Sequence, residues 1–254
     1  MDAILLPGGI LPAELAYADL LARFSADVDA HAKELEVYAA PETPPPGYTL
    51  DTEIDGIGSV ADEAGFGRLH LVGYSAGGAS ALAFALAHPD RLVSLTLAEP
   101  AWAGTEGRCA AEADATQRPI DALDLPPEEM LPAFMRAQLE DGVELPPTPT
   151  GPQPAWMRSR PSGTAAIAAA FQAHPYPSEA MRTFLPPVLF VLGGRSRHAY
   201  YGLMAERLGS LFPDFSLAPF PERHHFDPPH RAEPERYAHV LEEHWRGAEA
   251  LPQP

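Results

Sequence analysis

The stretch between residues 69 and 88 constrains the fold of this chain more than any other part of it. A short apolar run at 69–72, typical of a buried strand, leads into Gly73-Tyr74-Ser75-Ala76-Gly77, and an alanine-rich helical run then ends before Pro89. A serine with glycine two residues before and two after it, between a strand and a helix, is the pattern of a nucleophile elbow. Such a turn exposes the Ser75 hydroxyl, leaves no room for flanking side chains, and places the N–H of Ala76 where it can face an anion.

The chain on both sides of this stretch alternates apolar runs of strand length with helical runs. Strands are predicted at 3–6, 33–39, 69–72, 93–98, 188–192 and 215–220, and helices at about 13–24, 51–64, 79–88, 199–212 and 234–245. This alternation is typical of a parallel sheet with helices on both faces.

The alternation is interrupted after Trp102. The interval from Pro119 to Pro187 holds 14 of the chain's 30 prolines. Helices are predicted at 127–141 and at 163–173, the second capped by Ser162, while the proline-rich run 145–154 between them can be neither helix nor central strand. Because both helices have an apolar face, we predict a packed helical cap rather than a linker. The predicted division is a core over 1–104, a cap over 105–185 and a second core part over 186–254.

Charge and cysteine content exclude several classes of partner and site. A net charge of −18 argues against nucleic acid and anionic membrane surfaces, which attract basic patches. A single cysteine, Cys109, excludes an intramolecular disulfide and a cysteine-based metal cluster. The start Met1-Asp2-Ala3 is unlike a signal peptide, and no apolar run approaches the roughly 18 residues of a membrane span. We therefore expect a cytoplasmic protein without bound metal.

The order of these features resembles the α/β-hydrolase family: a glycine-rich loop after the first strand, the elbow, a proline-rich helical insertion and a histidine loop before the last helix. The resemblance implies a mostly parallel sheet of about six strands, lacking the two strands that usually come first, with an edge that a homodimer could cover. It also implies that Ser75 is the nucleophile and that its histidine lies in His224-His225-Phe226-Asp227. We predict His225, with His224 as the alternative and His230 as a surface or structural residue.

Serine chemistry needs an imidazole to take the hydroxyl proton and a carboxylate to orient the imidazole. The family most often carries the acid after the strand that follows the insertion, but this chain has Gly193-Gly194-Arg195-Ser196 there. Some members carry it one strand after the elbow strand, where Glu99 is found here, so we predict Glu99 as the acid. Asp227 is too close to His225 along the chain and is expected to shape the loop. Without Glu99 the site would be a Ser-His dyad or inactive.

The oxyanion of the reaction needs two N–H groups aimed at it. The tract that corresponds to the family's His-Gly-x is Pro7-Gly8-Gly9-Ile10, and the backbone can donate although proline replaces the histidine. The resemblance therefore implies Ala76 as one donor and Gly9, or else Ile10, as the other.

The function expected from these residues is hydrolysis of an ester, lactone or thioester of a small apolar molecule, without a cofactor. Two alternatives remain open: carbon–carbon cleavage, dehydration or cyclisation with the same serine and histidine, or a ligand-binding protein that turns over poorly or not at all. The residues expected to line the substrate site are Ile10, Tyr74, Trp102, Phe134 and Trp156.

Overall fold

A six-stranded sheet forms the centre of the computed structural model, which describes residues 1–39, 42–145 and 152–251. Its strands are β1 (Asp2–Leu6), β2 (Asp29–Ala32), β3 (Leu69–Tyr74), β4 (Leu92–Ala98), β5 (Val188–Gly193) and β6 (Phe215–Phe220). They lie in the order β2-β1-β3-β4-β5-β6, and every neighbouring pair is parallel. This confirms the predicted mostly parallel sheet of about six strands.

Helices cover both faces of this sheet, which is why its central strands β3, β4 and β5 are buried along almost their whole length. The helices outside the insertion are α1 (Ala13–Leu21), α2 (Leu50–Ala64), α3 (Ala76–Ala87), α8 (Leu203–Leu211), α9 (Pro229–Ala232) and α10 (Pro234–Glu249). Alternate residues of β1 enter two separate cores: Ile4 and Leu6 pack with α2, α3 and α8, whereas Ala3 and Leu5 pack with α1 and α10.

The predicted strand at 33–39 was wrong. The strand that pairs with β1 at one edge of the sheet is β2, a short run with alternating exposed residues, and 33–39 instead contains a 3-10 turn at Glu36–Tyr38. Leu35 and Val37 are fully buried, so the apolar spacing that predicted a strand comes from the packing of these two side chains in the core. The Glu53 carboxylate accepts the N–H groups of Glu36 and Val37, at 2.9 and 3.0 Å. The Glu53 side chain on α2 thus satisfies two backbone N–H groups that would otherwise have to pair with a neighbouring strand.

Most of the regular structure described in the insertion between β4 and β5 is helical. It contains α4 (Ala110–Ala122), α5 (Pro127–Ala137), a 3-10 turn at Ala155–Ser159, α6 (Arg160–Ala173) and α7 (Ser178–Arg182). Sequence reasoning missed α4, and it misplaced the start of α6, because Ser162 lies inside this helix and does not cap it. Residues 146–151 of the proline-rich run lie outside the described residues. The three-part division of the chain stays a prediction.

None of the described helices combines the length and the apolar character needed to cross a bilayer. A homodimer that covers a sheet edge also stays a prediction.

Candidate active site

Ser75 lies in the sharp turn between β3 and α3. Its φ of 54° is unusual for a residue with a side chain. Close packing explains the flanking glycines, because a Cβ at Gly73 would lie 2.3 Å from the Gly77 carbonyl oxygen and one at Gly77 would lie 2.4 Å from the Pro7 carbonyl oxygen. The N–H of Ser75 donates to the Ala98 carbonyl at 3.1 Å, so the turn is fixed to the neighbouring strand.

The imidazole of His225 reaches Ser75 from the loop between β6 and α9. Its Nε2 lies 3.1 Å from the Ser75 Oγ, and its Nδ1 lies 3.0 Å from the Glu99 Oε2. These contacts fit a neutral ring that carries its proton on Nδ1 and accepts the serine proton at Nε2. Since 1% of His225 is exposed, bulk water has little access to either nitrogen.

Glu99 immediately follows β4 and is held from two sides. Its Oε1 accepts the N–H of Gly193, the last residue of β5, at 2.7 Å, while Oε2 faces His225. The N–H of Glu99 donates to the Val191 carbonyl at 3.2 Å, and its φ is 45°. The carboxylate that faces the ring thus follows β4, the strand beside the one after which the family most often carries its acid. The structure brings together Ser75, His225 and Glu99, and their catalytic roles stay a prediction.

The other polar residues of the histidine loop have different environments. His224 turns its Nδ1 to accept the Phe226 N–H at 3.2 Å, and burial lowers the pKa of its imidazole. Asp227 pairs with Arg223 at 2.6 Å within the loop. His230 is buried against the rings of Tyr17 and Tyr74, where burial lowers the pKa of its imidazole to about 3. Contacts with Ser75 are described for His225 and for neither of the other two histidines.

A stack of three rings ends on the His225 imidazole, and sequence reasoning missed it. The Tyr201 ring lies parallel to His225 with centroids 4.8 Å apart, and the Tyr200 ring lies 4.1 Å beyond it. The Tyr201 hydroxyl donates to the Gln138 Oε1 at 2.6 Å, and the Tyr200 hydroxyl donates to the Ala101 carbonyl at 2.6 Å. Both tyrosines belong to a π-helical turn at His198–Gly202, an irregularity often found at functional sites. The adjacent tyrosines after the loop at 193–197 were the available signal.

The loop after β1, residues 7–10, lies against the elbow. A Cβ at Gly8 would be 3.2 Å from the Ser75 Cβ, and one at Gly9 would be 3.9 Å from the Ala76 Cβ. Ala76 is the first residue of α3, so its N–H has no acceptor within the helix. Within the described ranges, no hydrogen bond uses the N–H of Gly9 or Ile10. The role of Ala76 and of Gly9 or Ile10 as oxyanion donors stays a prediction.

The residues expected to line a substrate site differ in their distance from the imidazole. The Tyr74 ring packs on His225, and the Tyr74 hydroxyl donates to the His225 carbonyl. Phe134 on α5 lies with its ring 6.3 Å from Phe226, the residue after the imidazole.

The other three expected residues lie elsewhere or are only partly buried. Trp102 is buried between Phe171, at 5.6 Å, and the Arg108 guanidinium, at 4.0 Å. Trp156 is half-buried near Arg160, and Ile10 is half-buried in the loop after β1. Among the described residues, no group of three histidine, cysteine or acidic side chains could hold a metal ion.

Comparison with known proteins gives one family and several enzymes. Residues 3–240 match the alpha/beta hydrolase family. Lipase LipV of Mycobacterium tuberculosis is 30% identical over 96 residues, which are 38% of this chain and 34% of the lipase. The putative carbamate hydrolase RutD of Caulobacter vibrioides is 45% identical over 53 residues, 21% of this chain and 20% of that protein. The matches thus span about a third and a fifth of these relatives.

Solved structures resemble this chain over nearly its whole length. A thermophilic esterase from Thermogutta terrifontis superposes with a TM-score of 0.69 at 19% identity, covering 98% of this chain and 90% of the esterase. The carboxylesterase CesB from Bacillus subtilis gives a TM-score of 0.69 at 18% identity, covering 97% and 84%. At this identity the likeness shows a common fold.

Proposed function

Because this chain belongs to the alpha/beta hydrolase family, we propose that it is a serine hydrolase that cleaves an ester, lactone or thioester of a small apolar molecule. One observation carries the proposal: the His225 ring lies between the Ser75 hydroxyl and the Glu99 carboxylate, 3.1 and 3.0 Å from them. A hydroxyl is a weak nucleophile until a base takes its proton, and this contact supplies the base. The lipase among the sequence relatives and the two esterases among the similar structures support ester chemistry.

In the proposed first half-reaction, the Ser75 Oγ attacks the substrate carbonyl carbon while its proton passes to the His225 Nε2. Glu99 stabilises the imidazolium through Nδ1. The N–H groups of Ala76 and of Gly9, or else Ile10, donate to the oxyanion of the tetrahedral intermediate. When the intermediate collapses, the bond to the alkoxide or thiolate breaks, and the leaving group takes the proton from Nε2. The product is an acyl ester on Ser75.

The second half-reaction returns the enzyme to its starting state. His225 takes a proton from water, the resulting hydroxide attacks the acyl carbon, and the same N–H groups face the new oxyanion. Collapse releases the acid and returns the proton to the Ser75 oxygen. Three features support a small apolar substrate: the rings of Phe134 and Phe226 near the imidazole, the ring of Tyr74 packed on it, and the net charge of −18, which disfavours anions.

A fluorophosphonate probe and nitrophenyl esters of increasing acyl length test the proposal. We expect the probe to label Ser75 in the wild-type protein, Ser75→Ala to abolish labelling, and His225→Ala to reduce it strongly. His224→Ala is the matched control, because the neighbouring imidazole contacts the Phe226 N–H and not Ser75, so labelling should persist. Glu99→Gln should lower kcat by about 10³-fold without unfolding the protein.

Three results would count against parts of this proposal. A folded wild-type protein that the probe does not label would exclude the serine nucleophile. An unchanged rate in Glu99→Gln would remove Glu99 from the mechanism. Labelling of Ser75 without turnover of any ester would contradict ester hydrolysis and favour the carbon–carbon cleavage or dehydration alternatives.

A further inference from the structure

The Tyr38 hydroxyl connects the loop at residues 7–10 to the start of α6. It donates to the Gly9 carbonyl at 2.8 Å and lies 3.3 Å from the Thr164 Oγ1 and 3.5 Å from the Arg160 carbonyl. A phenol has one proton, and the shortest of these contacts assigns it to Gly9. The Thr164 hydroxyl then donates to the Tyr38 oxygen. The steps proposed above for the serine reaction make no use of Tyr38.

The Tyr38 ring is held rigidly. The Arg160 guanidinium lies 3.8 Å above its centroid, and the ring packs so tightly on Gly163 that a Cβ there would lie 2.0 Å from the Tyr38 Cε1. The turn that carries Tyr38 is fixed from α2, because the fully buried Glu53 accepts two of its N–H groups. Burial raises the pKa of the Tyr38 hydroxyl, which therefore stays a proton donor. Its oxygen is thus a fixed point in the molecule.

The bond to the Gly9 carbonyl restrains two N–H groups at once. The Gly9 carbonyl and the Ile10 N–H belong to one planar trans peptide and point in opposite directions, so fixing one fixes the other. The same bond limits the backbone torsions of Gly9. Without it these torsions would vary widely, because glycine has no Cβ to restrict them. Because the N–H groups of Gly9 and Ile10 have no acceptor among the described residues, this loop needs an external restraint to keep them aimed.

From this geometry we infer that Tyr38 is a positioning residue for the oxyanion hole: it holds the Gly9 carbonyl so that the N–H groups of the loop face the oxyanion that forms at Ser75. The inference rests on the proposed function. Because donors act most strongly when they are already in place, loss of the restraint weakens transition-state binding more than substrate binding.

Tyr38→Phe removes the hydroxyl and keeps the ring between Arg160 and Gly163. We expect kcat for nitrophenyl butyrate to fall about tenfold with KM within about twofold. The Ki of an alkyl trifluoromethyl ketone, which adds to a serine as a tetrahedral oxyanion, should rise by about the same factor. A role confined to stability would change neither the ratio of kcat to KM nor this Ki.

Tyr48→Phe is the matched control. The Tyr48 hydroxyl donates at 2.7 Å to Glu53, the carboxylate that also fixes the turn carrying Tyr38. This variant therefore also loses one tyrosine hydroxyl contact, but no contact between Tyr48 and Gly9 is described. We expect its kcat and Ki to stay within about twofold of wild type. If Tyr38→Phe matches Tyr48→Phe in kcat and Ki while the probe labels Ser75 in the wild type, the inference fails and the proposed function stands. A folded wild type that is neither labelled nor active overturns both.

Discussion

Two residues of the described chain combine a side chain with a positive φ, Ser75 at 54° and Glu99 at 45°. Each such residue costs about 1–3 kcal/mol, so the surrounding structure must impose it. Backbone hydrogen bonds do so here: the Ser75 carbonyl accepts the Ala101 N–H at 2.8 Å, and the Glu99 N–H donates to the Val191 carbonyl at 3.2 Å. The result is that two side chains from neighbouring strands point at one imidazole.

The ring stack should support the imidazole in the same way. Tyr201 is fully buried and covers the His225 ring, so its loss would let the imidazole rotate away from Ser75. We expect Tyr201→Leu to lower kcat about tenfold, whereas Tyr201→Phe, which keeps the stack and loses only the bond to Gln138, should stay within about threefold. Steady-state kinetics with thermal unfolding as a check on folding would measure this. Equal kinetics in the two variants would show that the stack does not position His225.

At the scale of elements, sequence reasoning succeeded where local sterics decide the structure. The elbow is one case, because a Cβ at Gly73 would collide with the Gly77 carbonyl within the same turn. The helix at 51–64 is another, since Gly65 ends it with a φ of 76°. Strand β6 was predicted with its observed bounds, Phe215–Phe220.

Sequence reasoning failed where distant residues decide. The turn at Glu36–Tyr38 replaces the predicted strand because Glu53, far along the chain, accepts its N–H groups. Helix α4 was missed because its sequence is polar, and it is held by the buried pair of Glu112 with Arg207, 2.9 Å apart. The contacts of Tyr38 and Tyr201 likewise join segments that no local pattern relates.

The end of α5 is attached to the loop after β5 by the Arg197 side chain and by backbone hydrogen bonds, such as the one from the Arg197 N–H to the Gln138 carbonyl at 2.9 Å. The Arg197 guanidinium donates to the carbonyls of Ala137 and Arg136, at 2.9 and 3.3 Å, and its Nη2 lies 3.2 Å from Asp141. The last carbonyls of a helix receive no hydrogen bond from an N–H of the same helix, so a cationic donor placed there stabilises the helix end. Because α5 also leads to Gln138, the partner of Tyr201, this attachment connects the insertion to the ring stack.

We therefore expect Arg197→Ala to loosen α5 locally. Amide hydrogen exchange over Pro127–Ala137 should become about tenfold faster, as loss of bonds to a charged group would produce. Arg182→Ala is a suitable control, since this exposed arginine of the insertion is described with one weak ion pair, to Glu179 at 3.4 Å. Exchange in α5 that is unchanged in Arg197→Ala would mean that the other contacts of this segment suffice.

At the scale of the whole molecule, three buried histidines contribute to the loss of stability in acid. Burial lowers the pKa of His70 and of His230 to about 3, and that of His244 to about 4. All three are therefore neutral in the folded protein at mildly acidic pH. In the unfolded chain a histidine has a pKa near 6.5, so the unfolded state binds more protons below that pH. The free energy of unfolding should consequently fall as the pH drops below about 6.5, and stop falling on this account below about 3.

His230→Leu isolates one of these contributions. His230 packs among Tyr17, Tyr74 and Tyr237, and its Nδ1 has no hydrogen-bond partner in the described structure, so leucine removes the titration at small cost in polar contacts. Between pH 7 and pH 5 the wild type should lose about 2 kcal/mol more unfolding free energy than this variant, measured by urea denaturation. His239→Leu, at an exposed position of α10, should follow the wild type. If the wild type and His230→Leu lose the same unfolding free energy between pH 7 and pH 5, His230 takes up its proton while the protein stays folded. The aromatic side chains around His230 would then have to open to water in acid.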